Sequence, residues 1–452
     1  MPSKKTEFSI DSVLFSSPRI REPIELRLNV TDIDVYEDLD KPYLTANIVF
    51  VDSNNFIENA DILGGENITI AISSMRSQSA RIVKNFYINK ITHQERVNDN
   101  TQVVVLHLIE DCAYISNLIN VNRYYEGTGS QIIEKICGEF LGRPFTSSNS
   151  DLQLYKLIVP NLDPLQTCKW IANNLTTVEG FPYYLYSTFV GNKIVLRDLI
   201  HLITSAPLNT TSMYQWSQSA VQSHEEDVQR RTIHSFKIGK NSEDLFSIIR
   251  KGLIGGKYSY LNVAADNAET EVEFPFDVVE DVLRPAIGTG VIPGNQNNVG
   301  YSPRFQLGSA SFNQIPSRHI THLGGTNPYR ITKLPDDPEE VPQYPLALGE
   351  AYNDAFYKLF VVRRAMDNLL KKSAITINVN GIDFIDGTQH STIGNQLRCR
   401  FQHSNPEIPM SSKGEWDTKL SGDYLIYRTR HIIKRERYDM AHTMVKLGSF
   451  PK

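Results

Sequence analysis

The chain has 452 residues, too many for one hydrophobic core, and its 40% hydrophobic and 21% charged residues suit a folded, water-exposed protein of two to four domains. A formal net charge of −5 and a pI near 6.1 exclude a protein that grips nucleic acid through clustered cations, though not a wall past which DNA slides. Twenty-one Tyr and 20 Phe favour strands, so the expected class is β-rich α+β.

Four scattered cysteines, Cys112, Cys137, Cys168 and Cys399, have no C-x-x-C spacing. They read as buried thiols of a reducing compartment rather than a zinc site or a disulfide framework. The start, M-P-S-K-K-T-E-F-S-I, lacks an apolar leader, and no apolar run approaches the roughly 18 residues of a membrane span. The expectation is a chain made and folded in the cytoplasm.

In chain order, Pro23 to Phe50 offers strands in I-E-L-R-L-N-V and Y-L-T-A-N-I-V-F, joined by an acidic loop around Tyr36-Glu37-Asp38. From Ile62 to Leu108 a turn at Gly64-Gly65 leads into alternation through Ile68, Ile70 and Ile72. Two further strands, Asn85–His93 and Gln102–Leu108, complete a half-buried antiparallel meander. Residues 1–110 thus form a first barrel-like domain.

Residues 111–205 read as a small α/β domain. Gly127 to Ser130 introduces a helix whose Ile132, Ile133, Ile136, Cys137 and Phe140 recur at helical spacing, stopped by Gly142-Arg143-Pro144. Asp163-Pro164 caps a second helix, with Leu165, Cys168, Trp170, Ile171 and Leu175 along its apolar stripe. The runs F-P-Y-Y-L-Y and K-I-V-L-R-D, around Gly191-Asn192, predict an aromatic hairpin.

Residues 206–345 are an irregular, loop-rich connecting region, with strand-like runs near Thr232–Ile238, Gly252–Leu261 and Thr270–Phe276. Residues 346–452 start with the longest predicted helix, Leu346–Lys372, which delivers the chain to a strand at Ala374–Gly381. A second meander follows: a turn at Gly394-Asn395, alternation through Leu397, Cys399 and Phe401, then Asp423–His431 and Thr443–Leu447. It repeats the plan of the first, since Phe86 and Tyr424 stand 338 residues apart (424 − 86), as do His93 and His431 (431 − 93).

No catalytic, cofactor-binding or metal constellation assembles from the sequence. His224-Glu225 lacks the second histidine of a zinc helix. Gly255-Gly256-Lys257 has Lys251 where a phosphate loop needs its first glycine and Tyr258 where it needs Ser or Thr, and Gly288-Thr289-Gly290 has no strand–helix frame. His93 and His431 invite a ligand reading by their matched places, against a plain hydrogen-bonded role. Asp336-Asp337-Pro338-Glu339-Glu340 reads as a solvated linker. The cations Arg428, Arg430, Lys434, Arg435 and Arg437 belong either to a contact with phosphate or an acidic neighbour, or to a solvated protective edge. Glu225 and Asp227 are the carboxylates an alternative function, a tail-associated cell-wall hydrolase seated in 206–345, would use.

The motifs T-I-G-N-Q-L-R-C-R-F, S-G-D-Y-L-I-Y-R-T-R-H and D-P-L-Q-T-C-K-W-I-A-N-N followed by G-F-P-Y-Y-L-Y, in that architecture, resemble the baseplate hub proteins of T-even-type contractile phages. Related hub domains occur in late-control tail proteins and type VI secretion spikes. The resemblance implies two tail-tube-like β-barrel domains bracketing the α/β domain and the loop-rich insert. It implies a non-enzymatic homotrimeric ring, assembled in the host cytoplasm and placed in the virion's tail baseplate. That ring adapts the sixfold tail tube to a threefold central spike and encloses a channel for DNA. The implied partners are the tail tube protein, the spike, other baseplate proteins and a tape-measure protein; no fused spike domain is recognisable.

Overall fold

The computed structural model describes residues 8–60, 62–74, 81–98, 101–148, 154–175, 177, 181–209, 213–217, 226–238, 374–381, 392–402, 416–417 and 420–448, with short strand segments between 256 and 323. The first repeat comprises β1 (Phe8–Ser16), β2 (Ile24–Glu25), β3 (Val30–Asp38), β4 (Thr45–Asp52), β5 (Asn67–Ser74), β6 (Arg81–Asn98) and β7 (Thr101–Glu110). Next come the short strands β8 (Tyr124–Thr128), β9 (Phe145–Ser147), β10 (Leu154–Ile158), β11 (Tyr183–Ser187), β12 (Ile194–Asp198), β13 (Tyr214–Trp216) and β14 (Ser235–Ile238). Segments β15 (Gly256–Leu261), β16 (Glu269–Glu273), β17 (Gln306–Leu307), β18 (Ala310–Ser311) and β19 (Arg318–Leu323) pair only among themselves. The second repeat closes the chain with β20 (Ala374–Asn380), β21 (Gln396–Phe401), β22 (Gly422–Lys434) and β23 (Tyr438–Gly448). The predicted helix Leu346–Lys372 lies outside the described residues.

The two repeats share one 13-stranded sheet, ordered β14-β20-β23-β22-β3-β4-β7-β6-β5-β1-β2, with β21 beside β22 and β13 beside β21. Among the described residues no closed barrel forms; the expected pair of barrel-like units is instead two halves of a continuous sheet. The repeats agree in detail. Ile68 opposes Phe86 as Leu397 opposes Tyr424, and a bulge follows Ile88 in β6 and Ile426 in β22, again 338 residues apart (426 − 88). The amide of Ile88 donates to the Glu66 carbonyl at 3.0 Å, and that of Ile426 to Asn395 at 2.9 Å. β4 flanks β7 as β20 flanks β23, so each meander has the same fourth strand.

One expectation needs correction. The acidic stretch around Tyr36-Glu37-Asp38 is not a loop but the end of β3, and I-E-L-R-L-N-V is broken by a turn at Arg27–Asn29 between β2 and β3. Val30, Ile33 and Val35 alternate inward, while the intervening acids gain partners from the far end of the chain, described below.

Helix α1 (Phe56–Ala60) follows β4 within the first repeat, and between the repeats come α2 (Asp111–Asn117), α3 (Gly129–Ile136), α4 (Pro164–Asn174), α5 (Leu199–Thr204) and α6 (Glu226–Arg230). α3 starts where expected: Thr128 and Gln131 form a reciprocal capping box, and Gly142, at φ +59°, ends the π-turn that follows. α4 is capped by Asp163, which accepts from the Gln166 amide at 2.9 Å, with Pro164 in the first turn. The aromatic hairpin is β11 against β12, buried on both faces. Tyr183 and Leu185 enter the core of the α/β segment, and Tyr184 and Tyr186 enter the core under the large sheet.

Gly65 and Gly394 occupy the same place before β5 and β21, at φ +85° and +76°. A methyl group at Gly65 meets nothing closer than 3.5 Å, whereas at Gly394 it would lie 2.6 Å from the Tyr186 hydroxyl. Gly65→Ala should therefore cost only backbone strain, about 1 kcal/mol, and Gly394→Ala roughly 2–4 kcal/mol by urea unfolding. Equal losses would contradict the close packing of Tyr186 on the second repeat.

Candidate functional site

The feature with most chemistry is the seam where β22 meets β3. The strands run antiparallel from Arg428 opposite Asp38 to Lys434 opposite Asp32. On the open face Arg428 pairs with Asp38 at 2.8 Å, Arg430 makes a two-pronged pair with Asp34 at 3.1 and 2.7 Å, and Lys434 meets Asp32 at 3.0 Å. Arg435 donates to the Leu28 carbonyl, and Arg437 pairs with Asp439 at 2.5 Å. The five cations singled out in the sequence therefore meet acidic or carbonyl groups of this same chain, and β3 covers the edge they were expected to protect.

The opposite face of the seam is sealed. Glu37 (2% exposed) accepts from the Phe189 amide and the Thr392 hydroxyl, and its carboxylate lies 3.4 Å from His431 Nε2. His431 Nδ1 is 2.7 Å from the Tyr438 hydroxyl, and Thr429 Oγ1 is 2.9 Å from His442 Nδ1. Burial pushes the Glu37 carboxyl up, yet His431, Thr392 and the Phe189 amide together outweigh burial and hold it below its ordinary value. Burial drives His442 down to about 3, with His431 adding to the effect. Glutamate, histidine and tyrosine in contact form a catalytic-looking set, but all three are shut away from any substrate, so the chemistry supported is structural. His93, 338 residues before His431 in sequence, is exposed on β6 and lies 3.2 Å from Glu95, and a second bulge after Ile91 moves it one place off the position of His431. β7, β4 and β3 separate the two histidines' strands, so they share no ligand.

A second buried charge cluster joins the repeat to the α/β segment. Lys84 (3% exposed) donates to Glu110 at 3.3 Å and to the Thr188 and Gly191 carbonyls at 3.2 and 2.5 Å, while Arg143 holds Asp111 and approaches Glu110 at 3.5 Å. Glu110, Asp111 and Cys112 lie close enough to be considered as metal ligands. Their charges are matched by two cations, and burial with the nearby Glu110 pushes the Cys112 thiol well up, which suits an ion-pair lock rather than a metal centre. Of the hydrolase carboxylates, Asp227 lies on α6; Glu225, His224, Asp336–Glu340 and Gly288–Gly290 lie outside the described residues. Gly256 and Lys257 open β15, a strand rather than a phosphate-binding turn.

Magnitudes rank the two faces. Half-exposed ion pairs contribute about 0.2–1 kcal/mol each, whereas stripping a buried charge of its partner costs about 3–5 kcal/mol. His431→Ala should therefore destabilise far more than Arg428→Ala in urea unfolding; comparable losses would mean Glu37 needs no partner. Because folding keeps His442 neutral down to about pH 3 while the unfolded ring protonates below 6.5, stability falls as pH drops through that window. The fall from His442 is up to about 1.4 kcal/mol per pH unit. Glu37, held below 4.5, adds its own loss only beneath that value. His442→Gln should shrink the drop between pH 6.5 and 5 without removing it, since burial also holds His107 and His234 down. An unchanged slope would contradict the assignment.

No protein-family model matches the chain, and no curated protein sequence does. Solved structures do. A tail protein from Neisseria meningitidis MC58 aligns over 96% of this chain and 96% of that one, at 12% identity and a TM-score of 0.51. The 43 kDa tail protein of prophage MuSo2 from Shewanella oneidensis aligns over 96% and 98%, at 10% identity and a TM-score of 0.50. An E. coli component of the type VI secretion system, described as structurally similar to the T4 bacteriophage tail proteins gp27 and gp5, aligns over 97% and 79%, at 10% identity and a TM-score of 0.40. Among the described residues no helix is long and apolar enough to cross a membrane. At these identities the likeness is one of fold, and the fold of this chain is that of phage tail proteins.

Proposed function

We propose that this chain is a structural hub protein of a contractile-tail baseplate, acting without catalysis as a homotrimeric ring. The observation that carries this reading is the fusion of two equivalent four-strand units into one sheet through β3 and β22. A chain with two copies of a unit lets three chains present six, which is what a part joining a sixfold tube to a threefold spike requires. The fold shared with phage tail proteins supports the same setting. In this reading the tail tube protein docks on one side of the ring, the spike and other baseplate proteins on the other, and DNA and the tape-measure protein pass through the bore.

The electrostatics of the seam fit a bore. Arg428, Arg430 and Lys434 on its open face are each matched by an aspartate, so the surface is polar and nearly neutral rather than a trap for phosphates. The tube-like barrel then exists only in the assembly, where six sheet segments close on one another. Light scattering during size exclusion should report about three times 51.3 kDa for the chain alone or with its spike. A monomer under both conditions would overturn the ring.

A further inference from the structure

The large sheet has equivalent strands in unequal surroundings. β14 lies against β20 as β3 lies against β4: Phe236 opposes Ile377 as Ile33 opposes Ile48, and Ile238 opposes Ile375 as Val35 opposes Ala46. β6 corresponds to β22 through the shared bulge after Ile88 and Ile426; a second bulge in β6, after Ile91, then shifts the match by one, so Gln94 opposite Val104 stands where His431 stands opposite Met440. The C-terminal half of β22 is covered by β3, yet among the described residues no strand lies beside β6 beyond Tyr87, and none lies on the outer side of β14. The side chains register the difference. Val35 is fully buried while Ile238 is 54% exposed, and His431 and Ile433 are buried while Gln94 and Arg96 are exposed. Ile91 and Val97 stand exposed on the same half of β6.

We propose that β6 of one copy pairs antiparallel with β14 of a second copy, repeating between chains the β22–β3 seam found within one. The internal register, His431–Val35, Ile432–Asp34 and Ile433–Ile33, transposes to Gln94–Ile238, Glu95–Lys237 and Arg96–Phe236. This rests on the ring reading and gives it the contact by which the ring closes. Each copy offers one edge of each kind, so the contact is head to tail and propagates until rotation closes it. Two open strand edges gain a hydrogen-bonded ladder, and exposed Ile91 and Ile238 are covered. The three internal ion pairs are not repeated, because Ser235 and Lys237 stand where β3 carries Asp32 and Asp34, and a single pair, Lys237 with the opposing Glu95, replaces them. The contact between chains is therefore weaker electrostatically than the seam within each.

Directly opposed residues of antiparallel strands have Cα atoms about 4.5–5.5 Å apart, within the reach of a disulfide. The native cysteines are all buried, so a cysteine placed on either edge is the reactive one. Full-length Gln94→Cys and Ile238→Cys, purified separately, mixed and oxidised, should give covalent dimers at about tenfold the yield of Gln94→Cys mixed with Lys237→Cys, whose side chain points to the other face. A single chain carrying both Gln94→Cys and Ile238→Cys should give covalent species larger than dimers. Trimers by light scattering with no preference for the 94–238 pair would overturn this contact and leave the ring standing. Monomers throughout, with no cross-link, would overturn both.

Discussion

The structure depends on one pairing: β22, near the end of the chain, lies against β3, near its start. Without it the protein would be two half-sheets with exposed edges. With it, each repeat finishes the other. The backbone ladder from Arg428–Asp38 to Lys434–Asp32 sets the register, and Glu37 makes that register hard to change, because a one-residue slip would withdraw His431 from a buried carboxylate. The aspartate–arginine pairs on the open face add direction more than energy.

The α/β segment between the repeats serves the same end. Its aromatic strand β11 sends alternate side chains into its own core and into the core under the seam, and the Phe189 amide reaches Glu37 itself. Lys84, enclosed by Glu110 and two carbonyls of the Thr188–Gly191 turn, ties the first repeat to that hairpin. Burying an ammonium is costly, and full satisfaction of its three donors is what makes the position tolerable. A rigid link of this kind keeps the two repeats of one chain in a fixed relation, which a ring of several chains needs.

Much of this was legible in the sequence, for identifiable reasons. Both meanders show because period-2 alternation survives wherever one sheet face is buried, and the capped helices show because Thr128–Gln131 and Asp163–Pro164 are local signals. The end of β3 reads as a loop in sequence because four acids in a row of nine look solvated until their partners, nearly four hundred residues away, are in place. The fusion of the repeats into one sheet was hidden for the same cause. The 338-residue spacing of His93 and His431 is visible in the sequence, but not the second bulge after Ile91 that takes His93 off the position of His431, nor that β3 covers the strand of His431.

The most direct test of the central claim is a cryo-EM reconstruction of the assembled protein. The account predicts a threefold ring of six sheet segments in which the seam between chains superposes on the β22–β3 seam within each. A ring whose chains meet through other surfaces, or an assembly in which β22 and β3 of one chain lie apart, would contradict it.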